Sequence, residues 1–246
     1  MVTGTYKIAE LVVQFCTLHQ EVHDQCRDYR YDGTPELVIT TTQEQINFER
    51  DKSNQEDALE GLPAQNYTDE YLETLAIYRQ LAGKMLYLNT LLFHGSAIAV
   101  DGEAVLFTAK SGTGKSTHTR IWRRVYGDRC IMVNDDKPLL RITEDGVLVC
   151  GTPWDGKHKL STNCALPLKA ICILERGEEN AIRQISVKEA LPMLLQQCFR
   201  PSNPTDMAQM LKVINRLTEK LSFYRMQCTI GKPAARLAYE TMLGNK

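Results

Sequence analysis

Apolar and polar positions follow three different rhythms along this chain. Between Thr68 and Met85, Tyr71, Leu75, Tyr78, Ala82 and Met85 recur at alternating spacings of four and three, which predicts a helix with one buried stripe. Upstream the pattern is mixed. It predicts an apolar strand near Lys7 to Phe15, a second at Glu36 to Thr40, and a helix entered through the cap-like run TTQEQ. The polar stretch KSNQEDALEGLPAQN then reads as a loop or boundary. The expected organisation is an N-terminal mixed α/β region, residues 1–66, suited to docking an acceptor or partner, and a larger unit, residues 67–246. From Leu91 onward short strands predominate. HGSAIAVDGEAVLFTA carries apolar runs on both sides of Asp101-Gly102, the dipeptide that favours a two-residue type I′ turn, and Asp145-Gly146 gives a second hairpin signal. Further strands are expected at Lys169 to Leu174, Ala181 to Ile185 and Phe223 to Thr229. Helices are expected at Val187 to Phe199, Thr205 to Lys220 and Pro233 to Leu243. The fold class is α/β, a mixed sheet with antiparallel hairpins.

Composition narrows the partners. The 246 residues carry 29 basic and 30 acidic side chains, so no charge excess points to nucleic acid or an anionic membrane. The first residues lack a basic n-region and an unbroken apolar core, and no stretch approaches the roughly 20 apolar residues of a membrane span. A soluble, cytoplasmic protein is expected. Eight cysteines without a CxxC pair fit reduced thiols better than a disulfide framework. Cys16, His19, His23 and Cys26 have metal-ligating chemistry, but on one continuous helix they would lie along a single face and could not surround zinc tetrahedrally.

The chemistry concentrates in AKSGTGKST, residues 109–117. It fits the permissive Walker A pattern, with Ala109 where the stricter form has glycine, and it lies between an apolar strand and an apparent helix. Gly112 and Gly114 would let backbone N–H groups approach phosphate oxygens, with Ser111, Thr113 and Thr117 completing the cradle. Lys115 would meet the β- and γ-phosphates, and Ser116 would offer a hydroxyl to Mg²⁺. The alternative is a solvated glycine turn. The apolar run RCIMV then delivers Asn134, Asp135 and Asp136 after a strand. Paired aspartates there suit metal ligation and proton acceptance from an attacking hydroxyl, although aspartate is also a common turn residue.

Turn register extends the candidate site. With Asp101-Gly102 as the turn, facing residues sum to 203, so His94 lands opposite Ala109, beside the loop. With Asp145-Gly146 as the turn the sum is 291, which sets Asp155 opposite Asp136 and Trp154 opposite Lys137. GTPWDGKHKL would then border the site, with Trp154 as an apolar wall, Asp155 nearby, and Lys157 and Lys159 available to phosphate or an acidic substrate. A tight turn with a solvated basic tip is the other reading of that segment.

FHGSAI before the loop, SGTGKST within it and VNDD after it, in that order, resemble the HPr kinase/phosphorylase catalytic domain. They resemble more distantly the nucleotide core of ATP-dependent phosphoenolpyruvate carboxykinase. The specific likeness covers roughly residues 91–160. It implies an HPr kinase/phosphoenolpyruvate carboxykinase-like core, a homo-oligomer, and an ATP- and Mg²⁺-dependent phosphotransferase acting on a hydroxyl, often serine, of a peptide, protein or small molecule. Carried over by motif, the loop and Lys115 would bind phosphates, and Ser116 and Asp135 would serve the metal. Asp136 would be the favoured base of the aspartate pair, with His94 tuning it. GTPWDGKHKL differs from the arginine-glycine signature of HPr kinases, and the N-terminal third differs from theirs. The chain looks closer to HPr kinase-like proteins found beside modified-peptide biosynthesis genes. A nucleotide-binding regulatory module without transfer, or an ATPase or GTPase using water as acceptor, are the competing functions.

Overall fold

A computed structural model describes residues 1–63, 65–156 and 158–244. Those residues form two compact units, Met1–Lys84 and Met85–Lys246. No helix among them is long and apolar enough to cross a membrane.

In the first unit, β1 (Val2–Ile8) and β2 (Leu11–Thr17) form an antiparallel hairpin, and β3 (Leu37–Thr40) adds parallel to β2. The expected single strand from Lys7 to Phe15 is therefore two strands. Ala9 and Glu10 turn the chain with φ of 53° and 60°, a left-handed pair that neither residue type announces. A short helix, α1 (Glu21–Gln25), follows, then α2 (Gln43–Leu59) and α3 (Asp69–Met85). The TTQEQ cap forms as expected, with the Thr42 N–H donating to Gln45 Oε1 at 3.0 Å. The polar stretch expected to be loop is helical through Leu59, since its Lys52–Glu56 pair and good helix formers suffice without an apolar face.

The buried stripe of α3 is rotated from the expected one. Ala82 and Met85 are buried as expected, but Tyr71 is exposed and Leu72, Glu73, Ala76, Ile77 and Leu81 are buried beside them. Glu73 explains the rotation. Its carboxylate, fully buried, accepts the Leu18 and His19 N–H groups at 2.7 and 2.8 Å and the Thr41 hydroxyl. Arg79 to Glu49, Gln80 to the Thr40 carbonyl and Lys84 to the Val38 carbonyl continue these ties. This helix accordingly groups with the first unit, so the division follows it, rather than preceding it at 66/67.

Cys16, His19, His23 and Cys26 do not share one helix, because Cys16 belongs to β2 and His23 to α1. His23 lies between Tyr6 Oη at 2.5 Å and Thr17 Oγ1 at 2.8 Å. Because Thr17 donates its proton to the His19 carbonyl, its oxygen accepts from His23 Nε2–H, and Nδ1 accepts from Tyr6. Burial lowers the His23 pKa, which keeps this neutral tautomer.

The second unit is a mixed sheet with helices on both faces. Its strands are β4 (Thr90–Leu92), β5 (Ser96–Val100), β6 (Glu103–Thr108), β7 (Cys130–Asn134), β8 (Leu139–Ile142), β9 (Val147–Cys150), β10 (Ala165–Arg176), β11 (Ala181–Ile185) and β12 (Ser222–Cys228). Its remaining helices are α4 (Lys115–Tyr126), α5 (Val187–Gln197), α6 (Pro204–Thr218) and α7 (Lys232–Met242). β10 is long enough to join two strand sets: its start pairs with β9 in the order β4-β8-β9-β10, and the rest lies between β12 and β6. Period-two alternation sorts the side chains. Ala97, Ala99, Leu106, Ile171 and Ile173 cluster with Ala190 and Leu194 of α5 and Val213 and Leu217 of α6. Ile98, Val105, Phe107, Cys172 and Leu174 cluster with Trp122 of α4 and Ala234, Ala235 and Ala238 of α7.

The first hairpin has its expected register, Val100 opposite Glu103 through Ser96 opposite Phe107, with Asp101 and Gly102 at φ of 52° and 84°. The second does not. Ile142 faces Val147 and Leu139 faces Cys150, and the Thr143 N–H bonds the Gly146 carbonyl, so Glu144-Asp145 is the turn and facing residues sum to 289. Its central pair has no left-handed residue, so the turn does not need the glycine that Asp145-Gly146 offered. The pairing ends at Leu139 and Cys150, and Asp155 is not carried opposite Asp136, nor Trp154 opposite Lys137.

Candidate active site

Strand direction assembles the site. β5 is antiparallel to both β6 and β7, and β10 is parallel to β6, so β6, β7 and β10 end at the same edge of the sheet. Their C-terminal ends deliver the glycine-rich loop, the Asn134-Asp135-Asp136 run and Arg176 respectively.

The loop turns through Gly112 at φ 72° and Gly114 at φ 117°, conformations in which a side chain is strained. Gly114 caps α4, and its carbonyl accepts from the His118 N–H at 2.9 Å. The first N–H groups of a helix have no carbonyl partner within it, so the start of α4 presents donors and the positive end of its dipole. Ser111, Gly112 and Ser116 are exposed, Thr113, Gly114 and Thr117 half-buried, and Lys115 buried. The Lys115 ammonium lies 3.5 Å from the Ala109 carbonyl. Burial lowers its pKa, and the nearby Asp136 and Asp135 charges work against that shift.

The aspartates face different surroundings. Asp135 is buried, and its Oδ1 accepts the Ser96 hydroxyl at 2.6 Å, with Thr119 Oγ1 3.0 Å from that hydroxyl. Asp136 Oδ1 lies 3.2 Å from His94 Nε2 and 3.1 Å from Lys137 Nζ. Burial alone would raise the Asp136 pKa, but the hydrogen bonds and charges of His94 and Lys137 outweigh it and lower it. His94 is itself fixed through its backbone, whose N–H donates to the Gln197 carbonyl at 2.7 Å and whose carbonyl accepts from Thr108 Oγ1.

Asn134 is the bracket beneath the pair. Fully buried, it accepts the Asp136 and Lys137 N–H groups at Oδ1 and donates from Nδ2 toward the Thr152 hydroxyl and the Thr152 and Trp154 carbonyls. Segment 151–156 is thereby drawn beside Asp135, where a Cβ at Gly156 would lie 3.5 Å from Asp135 Oδ2. Gly151 permits the approach: a Cβ there would come within 1.8 Å of the Thr162 carbonyl oxygen.

Of the four residues expected to meet substrate in this segment, Trp154 is buried and gives its carbonyl to Asn134. Asp155 Oδ2 accepts from the Ser161 N–H and hydroxyl at 3.2 and 3.0 Å, which ties it to its own loop. Lys159 is exposed, with φ 47° and its N–H on the Gly156 carbonyl. Lys157 lies outside the described residues.

Ser96, Asn134 and Arg176 are parts of the arrangement that spacing did not single out. Arg176 donates from Nη2 to the Gly112 carbonyl at 2.6 Å and from Nε toward the Thr113 carbonyl, bracing the loop tip. Nothing local in sequence marks it, since only the parallel pairing of β10 with β6 brings it there. Ser96 lies inside FHGSAI, and its inward alternation with Ala97 was the available signal.

The family signature of SynChlorMet cassette protein ScmC matches residues 65–231, and the chain belongs to that family. No curated protein matches it. Among solved structures it is similar to the Hpr(Ser) kinase/phosphatase from Coxiella burnetii, with 14% identity and a TM-score of 0.38 over 63% of this chain and 88% of that one. So loose a likeness fixes neither substrate nor reaction.

Proposed function

We propose that the chain is a phosphotransferase that moves the γ-phosphoryl group of ATP, with Mg²⁺, to a hydroxyl of a peptide, protein or small molecule, serine foremost. The observation that carries this reading is the convergence, at one edge of the sheet, of a buried lysine at a helix N-terminus with an aspartate pair at the end of β7, one strand beyond β5 from the loop. Phosphate binding alone requires the first and has no need of the second.

In this reading the loop N–H groups and Lys115 hold the triphosphate, and Asp136 takes the proton. As the acceptor oxygen bonds to the γ-phosphorus, the bond to the ADP oxygen breaks and the hydroxyl proton passes to the Asp136 carboxylate. His94 and Lys137 orient that carboxylate. The donors near the loop fit Mg²⁺: the Ser116 hydroxyl and the Asp135 carboxylate are hard oxygen ligands, and this ion is ordinarily held by one or two carboxylates plus substrate phosphates. Bound Mg²⁺ would neutralise phosphate charge. Among the described residues no group of three or more His, Cys, Asp or Glu side chains forms an all-protein cage, the N-terminal Cys/His quartet included.

The test is calorimetric titration with MgATP beside an intact-mass assay of transfer to serine peptides, free serine and HPr. Lys115→Ala should abolish binding in a folded protein, and Asp136→Asn should bind MgATP while losing at least ~100-fold in transfer. Undiminished affinity in Lys115→Ala, or undiminished transfer in Asp136→Asn, would refute the assignment.

A further inference from the structure

The proposed reaction leaves unassigned a cleft of about 490 Å³ on the opposite side of the loop from the aspartates. It is lined by loop residues Lys110 to Thr113, by Ile173 to Arg176 at the end of β10, and by Met193 of α5. Its size lies within the ~300–1,000 Å³ of ordinary small-molecule sites.

Strand order gives it an orientation. The sheet runs β10-β6-β5-β7, with the loop rising from β6. On the β5–β7 side stand His94, Asp135 and Asp136, and on the β10 side stand Arg176 and the cleft. The Asp135-Asp136 pair at the end of β7, with His94 on Asp136 Oδ1, marks the β7 side as the place of the transferred phosphoryl group. A linear triphosphate lying across the loop with its γ-end toward Asp136 must send its other end toward β10.

We propose that this cleft seats the nucleoside of the phosphoryl donor, a proposal that rests on the phosphotransferase reading above. Ile173 and Met193, which share the α5 face of the sheet, supply apolar surface suited to a heteroaromatic base. Arg176, exposed and fixed by its bonds to the Gly112 and Thr113 carbonyls, closes the cleft at the loop tip and sets positive charge where the phosphate chain enters. Glu175 is paired with Arg225, which holds its carboxylate on the strand-end rim.

The experiment compares MgATP with magnesium tripolyphosphate, which has the phosphates and no nucleoside. Met193→Trp, which fills the cleft, should weaken MgATP binding at least tenfold and leave tripolyphosphate affinity within twofold. Photolabelling of the unaltered protein with 8-azido-ATP gives an answer that does not depend on the variant folding. Adducts should map to the tryptic peptides Ala170–Arg176 or Glu189–Lys212, the latter running through the uncleaved Arg200-Pro201 bond. Tripolyphosphate binding that requires Lys115, with unchanged MgATP affinity in Met193→Trp or adducts on Cys130–Arg141, overturns the cleft assignment and leaves the phosphate site standing. Failure of both ligands to bind the unaltered protein overturns both. Loss of transfer in Met193→Trp without loss of MgATP affinity would give the cleft to the acceptor and refute the proposal.

Discussion

His118 should make the stability of the second unit depend on pH in a calculable way. The imidazole is 3% exposed, packs edge-on against Phe107 at 4.6 Å between centroids, and accepts the Trp122 indole N–H at Nε2. Desolvation by burial brings its pKa from 6.5 down to about 4. The unfolded chain therefore binds the proton first, and stability present above pH 6.5 is lost as pH falls toward 4. Between those two values the linkage relation gives a loss of about 2 kcal/mol by pH 5, approaching about 3 kcal/mol below pH 4. His118→Gln keeps an acceptor for Trp122 and removes the titration. Trp122 and Trp154 both lie in the second unit, so fluorescence-detected urea unfolding reports on it. The unaltered protein should lose about 2 kcal/mol more than His118→Gln between pH 7.5 and pH 5. Equal losses in the two proteins would refute the reasoning, because they would mean that the ring charges in the folded state without penalty.

Two other substitutions test the supports. Asn134→Ala strands the Asp136 and Lys137 N–H groups and should cost about 2–4 kcal/mol in urea unfolding, with transfer falling further than stability accounts for. Glu73→Ala leaves the Leu18 and His19 N–H groups unpaired and should destabilise the first unit by about 2–4 kcal/mol, seen as amide-exchange protection lost there first.

What could be read in the sequence was what is local. The DG turn fixed the β5–β6 register because Asp101-Gly102 suits one turn type, and GxGKS fixed the loop because its glycines need left-handed backbone. Misreadings arose where a local rule had competitors. Ala9-Glu10 turns left-handed without glycine, Asp145-Gly146 was displaced by Glu144-Asp145, and α3 is rotated by a buried carboxylate that no periodicity of apolar residues registers. Arg176 illustrates the deeper limit: its partners are more than 60 positions away, joined to it only by parallel strand pairing, which short-range patterns do not encode.

The same pairing logic bears on which aspartate takes the proton. Asp135 is buried with Ser96 on one oxygen, an arrangement suited to holding position, whereas Asp136 is partly exposed and carries both His94 and Lys137 on Oδ1. That leaves the Asp136 Oδ2 side for an acceptor hydroxyl. Two donors on one carboxylate make it a weaker base that is ionised over a wider range, so its acid limb should lie below the ordinary carboxylate range. Removing one donor has a defined sign. His94→Ala leaves burial and Lys137 in place, so the Asp136 pKa should rise and the acid limb of the kcat profile should move to higher pH, with MgATP affinity nearly unchanged. Ser96→Ala, which acts on Asp135, should leave that limb where it is. A limb that moves in Ser96→Ala and stays fixed in His94→Ala would transfer the base role to Asp135 and make the His94–Asp136 contact a structural tie.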